Sequence, residues 1–343
     1  MMRYFLLATL ALMLSACAQP QLQASGSQQQ SPRLHDDHVE ADDGHVLPLY
    51  RWLPEEGKPV KAVAVGLHGF GDYGASFEVL SEVFKEHGIA LYAYDQRGFG
   101  STEKPGIWAG RERLASDVGV VISLLRETHP DTPVYLVGKS MGGAVAMLAV
   151  TGESPPEVDG VAYIAPAVWG RKTMPWYQRA GLWIMLRIRP GMTFSGDAVR
   201  DLGIRATDDP EVARALSRDP LVQKEARIDT LHGLTTLMSD ALEASPDLTG
   251  PALILYGDND QVIPPEPVCA MLERLPDPDA VPWRMTLYPD GYHMLTRYTG
   301  AADTHADLVA WLLDPSASLP SGQEVDRFAV WERICSGEAP WDA

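Results

Sequence analysis

The stretch from Val134 to Val150 constrains this chain more than any other. Val134-Tyr135-Leu136-Val137 is an apolar, partly β-branched run with the length of a buried strand. Gly138-Lys139-Ser140-Met141-Gly142 follows it, and Gly143 to Val150 reads as a buried helix. Strand, sharp turn and helix are the setting in which Gly-x-Ser-x-Gly makes a nucleophile elbow. Glycine at 138 and 142 lets the strand and helix backbones approach closely. Ser140 then stands at the tip of the turn in a strained conformation, its hydroxyl directed into a pocket.

A nucleophilic serine needs a base, an acid behind the base and donors for the developing oxyanion. Lys61 to Leu67 reads as a strand ending in His68-Gly69-Phe70-Gly71, a turn able to aim backbone N–H groups into a pocket. The amides of Phe70 and Met141 are the candidate oxyanion donors, and His68 is expected to hold the turn. Pro251 to Gly257 and Trp283 to Tyr288 read as late strands. The loop after the first offers Asp260 as the acid, with Asp258 bracing the turn. The loop after the last carries Gly291-Tyr292-His293, which places His293 as the base. The chain order Ser140, Asp260, His293 is that of the α/β-hydrolase fold. Strands also read at His45 to Leu53, Ile89 to Asp95 and Gly160 to Ala165, and helices at Arg111 to Thr128 and Asp303 to Leu313. This alternation predicts a mostly parallel central sheet with helices on both faces. Asp95 and Arg97, two residues apart in a Gly-rich loop, are expected to brace it.

The core is predicted over residues 35–166 and 249–314, interrupted at 167–248 by a helical cap insertion. Thr173 to Ile188 is apolar almost all round and carries Trp176, Tyr177, Trp183, Ile184 and Met185. Such a surface either receives an acyl chain or lipid, or packs the cap onto the core. Residues 315–343 form a Pro- and Ser-rich tail with a short helix near Val325 to Ile334.

The beginning of the chain has a separate logic. Arg3 followed by the apolar run Tyr4 to Leu14 is too short to span a bilayer and fits a signal peptide over residues 1–16. Leu14-Ser15-Ala16-Cys17 resembles the lipobox of bacterial lipoproteins, which implies cleavage before Cys17 and acylation of its thiol. The other reading is an ordinary secretory signal that contains a Cys. Ala18, being other than Asp, implies outer-membrane sorting within that class, hence a lipid-anchored protein at the periplasmic face of a bacterial outer membrane. Residues 17–34, rich in Gln and Ser, read as a flexible tether reaching roughly 20–25 Å. In that oxidising compartment Cys269 and Cys335 would be able to pair and staple the tail to the body. A net charge of −18 argues against a nucleic-acid partner. No spacing suggests a metal site, nothing calls for a cofactor, and oligomeric state is left open.

Taken together, His68-Gly69, Asp95-Gln-Arg-Gly-Phe-Gly-Ser101, Gly138-Lys-Ser-Met-Gly-Gly143, Ser217-Arg-Asp-Pro-Leu-Val222, Gly257-Asp-Asn-Asp260 and Gly291-Tyr-His293 carry a resemblance. The chain resembles the monoacylglycerol lipase and lysophospholipase group of α/β-hydrolases, also called the serine aminopeptidase S33 group, over about residues 35–313. The resemblance implies hydrolysis of one fatty acyl ester from a monoacylglycerol or lysophospholipid. It also implies Phe70 and Met141 as the oxyanion hole. Lys139 departs from the group, where His more often precedes the nucleophile. Two other readings stay open here. One is an esterase, thioesterase or aminopeptidase of the same superfamily; an aminopeptidase would need an acidic cluster in the cap, where Asp208, Asp209 and Glu211 lie. The other is an inactive hydrolase body serving as an envelope binding protein.

Overall fold

The computed structural model describes residues 19–26, 29–171, 173–196 and 203–336. The signal peptide and Cys17 lie outside the described residues. The parallel part of the sheet comprises β4 (Ala62–Leu67), β5 (Ile89–Tyr94), β6 (Val134–Lys139), β7 (Gly160–Ile164), β10 (Ala252–Gly257) and β11 (Trp283–Tyr288). Antiparallel strands extend both edges: β1 (Arg33–Leu34), β2 (His38–Glu40) and β3 (Val46–Trp52) on one side, β12 (Glu324–Val325) on the other. The full order is β1-β2-β3-β5-β4-β6-β7-β10-β11-β12.

Every residue of β4, β5, β6, β7 and β10 is buried. Helices cover both faces, so no position of these five strands sees water and their apolar runs are continuous rather than alternating. On one face α1 (Glu78–His87) contributes Leu80 and Phe84, and α8 (Ala301–Leu313) contributes Leu308 and Trp311. On the other face lie α2 (Arg111–Thr128) and α3 (Met141–Thr151), with Val118, Val121, Val145 and Met147 in the core. From β4 the chain steps outward to β5, then returns to place β6 on the other flank of β4. That reversal is a topological switch point, where open α/β sheets leave a crevice beyond the strand ends. Ser140 follows β6 directly.

Between β7 and β10 come α4 (Trp176–Ile188), β8 (Thr193–Ser195), α5 (Pro210–Arg218), β9 (Glu225–Arg227) and α6 (Ile228–Ala244). The two ends of this insertion differ in kind. No residue of α4 is buried. By contrast, α6 packs on α3, and its Leu237, Met238, Ala241 and Leu242 belong to the main core. Within the insertion, α6 is therefore part of the covering layer of the core.

One expectation changes. Residues 19–26 and 29–34 do not hang free. Gln23 N–H donates to Trp108 O at 2.9 Å and Gln30 N–H to Asp42 O at 2.8 Å, and β1 joins the sheet edge. A polar composition predicts looseness only while its amides lack partners, and here the body supplies them. The tail carries its expected short helix, and the cysteine pair is bonded. β12 pairs with β11, Val330 and Trp331 of α9 (Arg327–Ile334) are buried, and a disulfide joins Cys335 to Cys269 on α7 (Pro265–Leu272).

Candidate active site

Ser140 has φ 50° and ψ −114°. This is a conformation L-residues avoid, and it persists only where neighbours over-determine it. They do. Ser140 N–H donates to Ile164 O at 2.9 Å, while Ser140 O accepts from Gly143, Ala144 and Ala167 at 2.9, 3.2 and 3.0 Å. A Cβ at Gly142 would sit 2.1 Å from Leu67 O, and one at Gly138 would sit 2.6 Å from Gly142 O. Only glycine lets β4, β6 and α3 meet this closely.

The turn after β4 is held from beneath by His68, which is fully buried. Its Nδ1 lies 2.8 Å from Gly69 O, and its Nε2 accepts the Gln96 N–H at 2.9 Å. Burial, the largest influence, keeps its pKa below the ordinary histidine value. The ring is thus neutral, donating from Nδ1 and accepting at Nε2. Gln96 Nε2 returns a bond to His68 O at 2.8 Å. From above, the Ser217–Val222 stretch docks on the same turn. Tyr73 hydroxyl donates to Asp219 Oδ2 at 2.7 Å, and Gln223 N–H donates to Gly71 O at 2.8 Å. This explains why a motif in the insertion accompanies a motif after β4. Phe70 lines the cavity in front of Ser140. Met141 opens α3, where first-turn N–H groups have no intrahelical acceptor.

The loops after β10 and β11 meet backbone to backbone, since a Cβ at Gly257 would lie 2.1 Å from Gly291 O. Asp258 N–H bonds Tyr288 O at 3.1 Å, and Asp258 Oδ1 accepts the Asp290 N–H at 2.7 Å. Asp258 therefore braces the turn. Asp260 Oδ2 lies 2.7 Å from His293 Nδ1, while its Oδ1 accepts Val262 and Ile263 N–H at 2.8 and 2.9 Å. A carboxylate so fixed holds a proton on Nδ1 and leaves Nε2 free to accept. His293 and Ser140 both line one cavity of about 530 Å³. Its walls are largely apolar, with Ile164, Trp169, Met174, Leu234 and Met238 among them. An acyl chain would bury there favourably.

Asp95 and Arg97 lie outside this cavity. Asp95 accepts the Gly74 and Ser101 N–H groups, each at 2.8 Å, and so ties two loops together. Arg97, almost wholly buried, holds Asp43 and Asp117.

Sequence reasoning missed the polar end of the cavity. Arg297 Nη2 donates to Asp72 Oδ2 there, across 225 positions of sequence, a pairing no local pattern announces. Lys139 is buried nearby, its Nζ donating to Ser76 O at 2.9 Å and lying 3.7 Å from the Phe77 ring centroid. Burial first, and Arg297 second, hold its pKa well below that of an ordinary lysine. Among the described residues, only His35, His38 and Glu40 bring three ligand atoms within 4.8 Å of one another, on the β1–β2 hairpin. None of these three lines the cavity.

A parallel sheet with a strained serine at its switch point, and a carboxylate-bound histidine facing the same cavity, defines an α/β-hydrolase, and the chain is a serine hydrolase. Residues 58–298 match the family described as serine aminopeptidase, S33, and the chain belongs to that family. It is similar to the monoglyceride lipase of Mus musculus, 27% identical over 270 residues covering 76% of this chain and 84% of that one. It is also similar to the monoacylglycerol lipase of Mycolicibacterium smegmatis, 24% identical over 283 residues covering 81% and 96%. Among solved structures, the Paleococcus ferrophilus monoacylglycerol lipase superposes with a TM-score of 0.64 at 22% identity, covering 79% of this chain and 99% of that one. That last likeness speaks to the fold.

Proposed function

We propose that the enzyme hydrolyses the fatty acyl ester of a monoacylglycerol, with lysophospholipid as the related substrate, through an acyl-enzyme on Ser140. In this reading His293 Nε2 takes the Ser140 proton during attack and then protonates the leaving alcohol. Asp260 fixes the imidazole and stabilises its charged form. The Phe70 and Met141 amides hold the oxyanion, each worth roughly 3 kcal/mol. Water then repeats the cycle on the acyl-enzyme.

The observation that carries the reading is the 2.7 Å Asp260–His293 bond at the rim of a largely apolar cavity that also contains Ser140. The similarity to enzymes named monoglyceride lipases supports the substrate class. The aminopeptidase alternative finds little support. Asp208 is engaged by Thr299, Asp209 caps α5 and Glu211 pairs with Arg214 at 2.7 Å. None of the three lines the cavity.

The test is a hydrolysis panel of monoacylglycerols, lysophospholipids, short p-nitrophenyl esters and aminoacyl amides. Wild type should favour the monoacyl lipids, and Ser140→Ala should lose about 10⁴-fold or more. Preference for aminoacyl amides would overturn the substrate assignment, and an active Ser140→Ala would overturn the mechanism.

We further propose that Cys17 is acylated and holds the enzyme at the periplasmic face of a bacterial outer membrane. The Leu14-Ser15-Ala16-Cys17 sequence supports this. Mass spectrometry of the mature N-terminal peptide should show acyl chains, and Cys17→Ser should release the protein from membranes.

A further inference from the structure

The outermost hairpin of the sheet gathers two imidazoles and a carboxylate on one face. β1 and β2 pair antiparallel, with Arg33 opposite Glu40 and Leu34 opposite Val39. His35 N–H donates to His38 O at 2.9 Å, which closes the hairpin with Asp36 and Asp37 as its two-residue loop. Side chains alternate along a strand, and opposed residues share a face. Val39 is buried in the core and Leu34 packs against it. His35, His38 and Glu40 therefore stand together on the other face. One ligand atom from each comes within 4.8 Å of the other two. No sequence spacing announces this set, because the turn creates it.

Three details fit a cation. His35 Nε2 is shielded from solvent without a hydrogen-bond partner, and it lies 3.7 Å from Glu40 Oε2, too far to bond it. A buried ring nitrogen in that position calls for a partner. His38 Nδ1 lies 2.7 Å from Asp37 Oδ1. The carboxylate can only accept, so Nδ1 carries the proton and Nε2 keeps its lone pair. This carboxylate–histidine arrangement orients an imidazole toward a metal and raises its basicity. The loop itself is held by β3, since Leu49 N–H donates to Asp37 O at 2.8 Å and Arg51 Nη2 lies 2.8 Å from Asp36 Oδ1. The two rings stack 4.2 Å apart with planes 9° from parallel. Rotation about χ2, a soft torsion in histidine, would turn both toward a shared ion.

We propose that His35, His38 and Glu40 bind a divalent transition-metal ion of the zinc type, and that the ion locks the outer hairpin of the sheet. Two imidazoles select against Mg²⁺ and Ca²⁺, which take oxygen ligands. Three protein ligands leave a fourth tetrahedral position for water. The ion would steady the sheet edge and take no part in hydrolysis, since none of the three residues lines the cavity that holds Ser140.

The experiment uses the full-length chain, stripped with chelator, dialysed, and titrated with zinc chloride against a chromophoric zinc indicator. One zinc per chain should bind with Kd on the order of 1 μM, and magnesium chloride should not displace it. His35→Ala and His38→Ala should each weaken binding at least about tenfold, and Asp37→Asn about tenfold through loss of the orienting carboxylate. Zinc at about 100 times Kd should raise the wild-type Tm by about 4 °C and leave the His35→Ala/His38→Ala double variant unmoved. X-ray absorption of the zinc-loaded wild type should show two imidazole ligands, and a shell of oxygen alone overturns the proposal whether or not the variants fold. No binding below about 100 μM overturns it as well. So does binding undiminished in the double variant, which puts the ion on other ligands. Zinc held only in an ion-dependent dimer, seen by light scattering, overturns a site completed within one chain.

Discussion

Arg97→Met tests what holds the loop beside the oxyanion turn. The guanidinium makes four bonds to two buried carboxylates: 2.7 and 2.8 Å to Asp43, and 2.7 and 3.0 Å to Asp117. Methionine fills similar volume but leaves both anions short of partners. Removing one side of a buried ionic network costs about 3–5 kcal/mol. The lower half applies here, because Asp117 keeps Arg113 and Asp43 keeps the Gly26 and His45 N–H groups. We therefore expect about 3 kcal/mol less stability by urea denaturation at pH 8. The pH dependence follows with a definite sign. In the wild type, hydrogen bonding from Arg97 is the largest influence holding Asp43 far below the usual carboxylate range. That stabilisation is present above the unfolded pKa and is lost as pH falls toward the folded one. Burial is the largest influence on Asp117 and raises its pKa, which Arg97 opposes. Without Arg97 it rises further, so the variant gains a proton in the folded state and recovers stability on acidification. The Asp117 effect narrows the gap between variant and wild type as pH falls from 8 toward 5, and the Asp43 effect adds to it only below the unfolded carboxylate pKa, about 4. A gap below about 1 kcal/mol at pH 8, or one that widens with acid, would refute the reasoning.

Cys335→Ser opens a loop of 66 residues, for which the chain-entropy relation gives about 4 kcal/mol; reductant should destabilise the wild type by a similar amount and leave the variant unmoved. His68→Phe removes both bonds that steady the Phe70 turn, so kcat on a soluble ester should fall about tenfold while KM stays within about twofold. Gly257→Ala would drive a methyl to 2.1 Å from Gly291 O and part the loops bearing Asp260 and His293. Activity should fall by at least about 10²-fold with the far-ultraviolet circular dichroism retained.

The buried parallel strands and the chain order of Ser140, Asp260 and His293 were legible because each is written in contiguous residues. A strand covered on both faces must be apolar throughout, and a strained turn must carry its glycines locally. What escaped was decided at a distance. The fastening of residues 19–26 needs Gln21 to find Asp229 across 208 positions, and β12 is two residues long, too short for any period to register. Composition suggested that 17–34 was loose, but composition does not see acceptors elsewhere in the chain. The fate of the insertion's aromatics also lay beyond sequence. Trp169 packs against the core while Trp176 and Trp183 face outward, and nothing in their neighbouring residues distinguishes them.

The backbone itself marks where the chemistry belongs. Among the described residues three non-glycines have positive φ: Ser140 at 50°, Ala165 at 44° and Asp290 at 55°. Each lies within two residues of the carboxyl end of a parallel strand, after β6, β7 and β11 respectively. Such conformations cost roughly 1–3 kcal/mol apiece, so neighbouring bonds must hold them. Ala165 N–H bonds Leu255 O at 2.8 Å, and Asp290 is held by Asp258. Strain confined to one edge of the sheet, on the strands that flank the switch point and the His293 loop, is what an enzyme needs if its reacting groups are to stay put. The rigid strands behind supply the restraint, and the exposed α4 arm in front is left free to meet its surroundings.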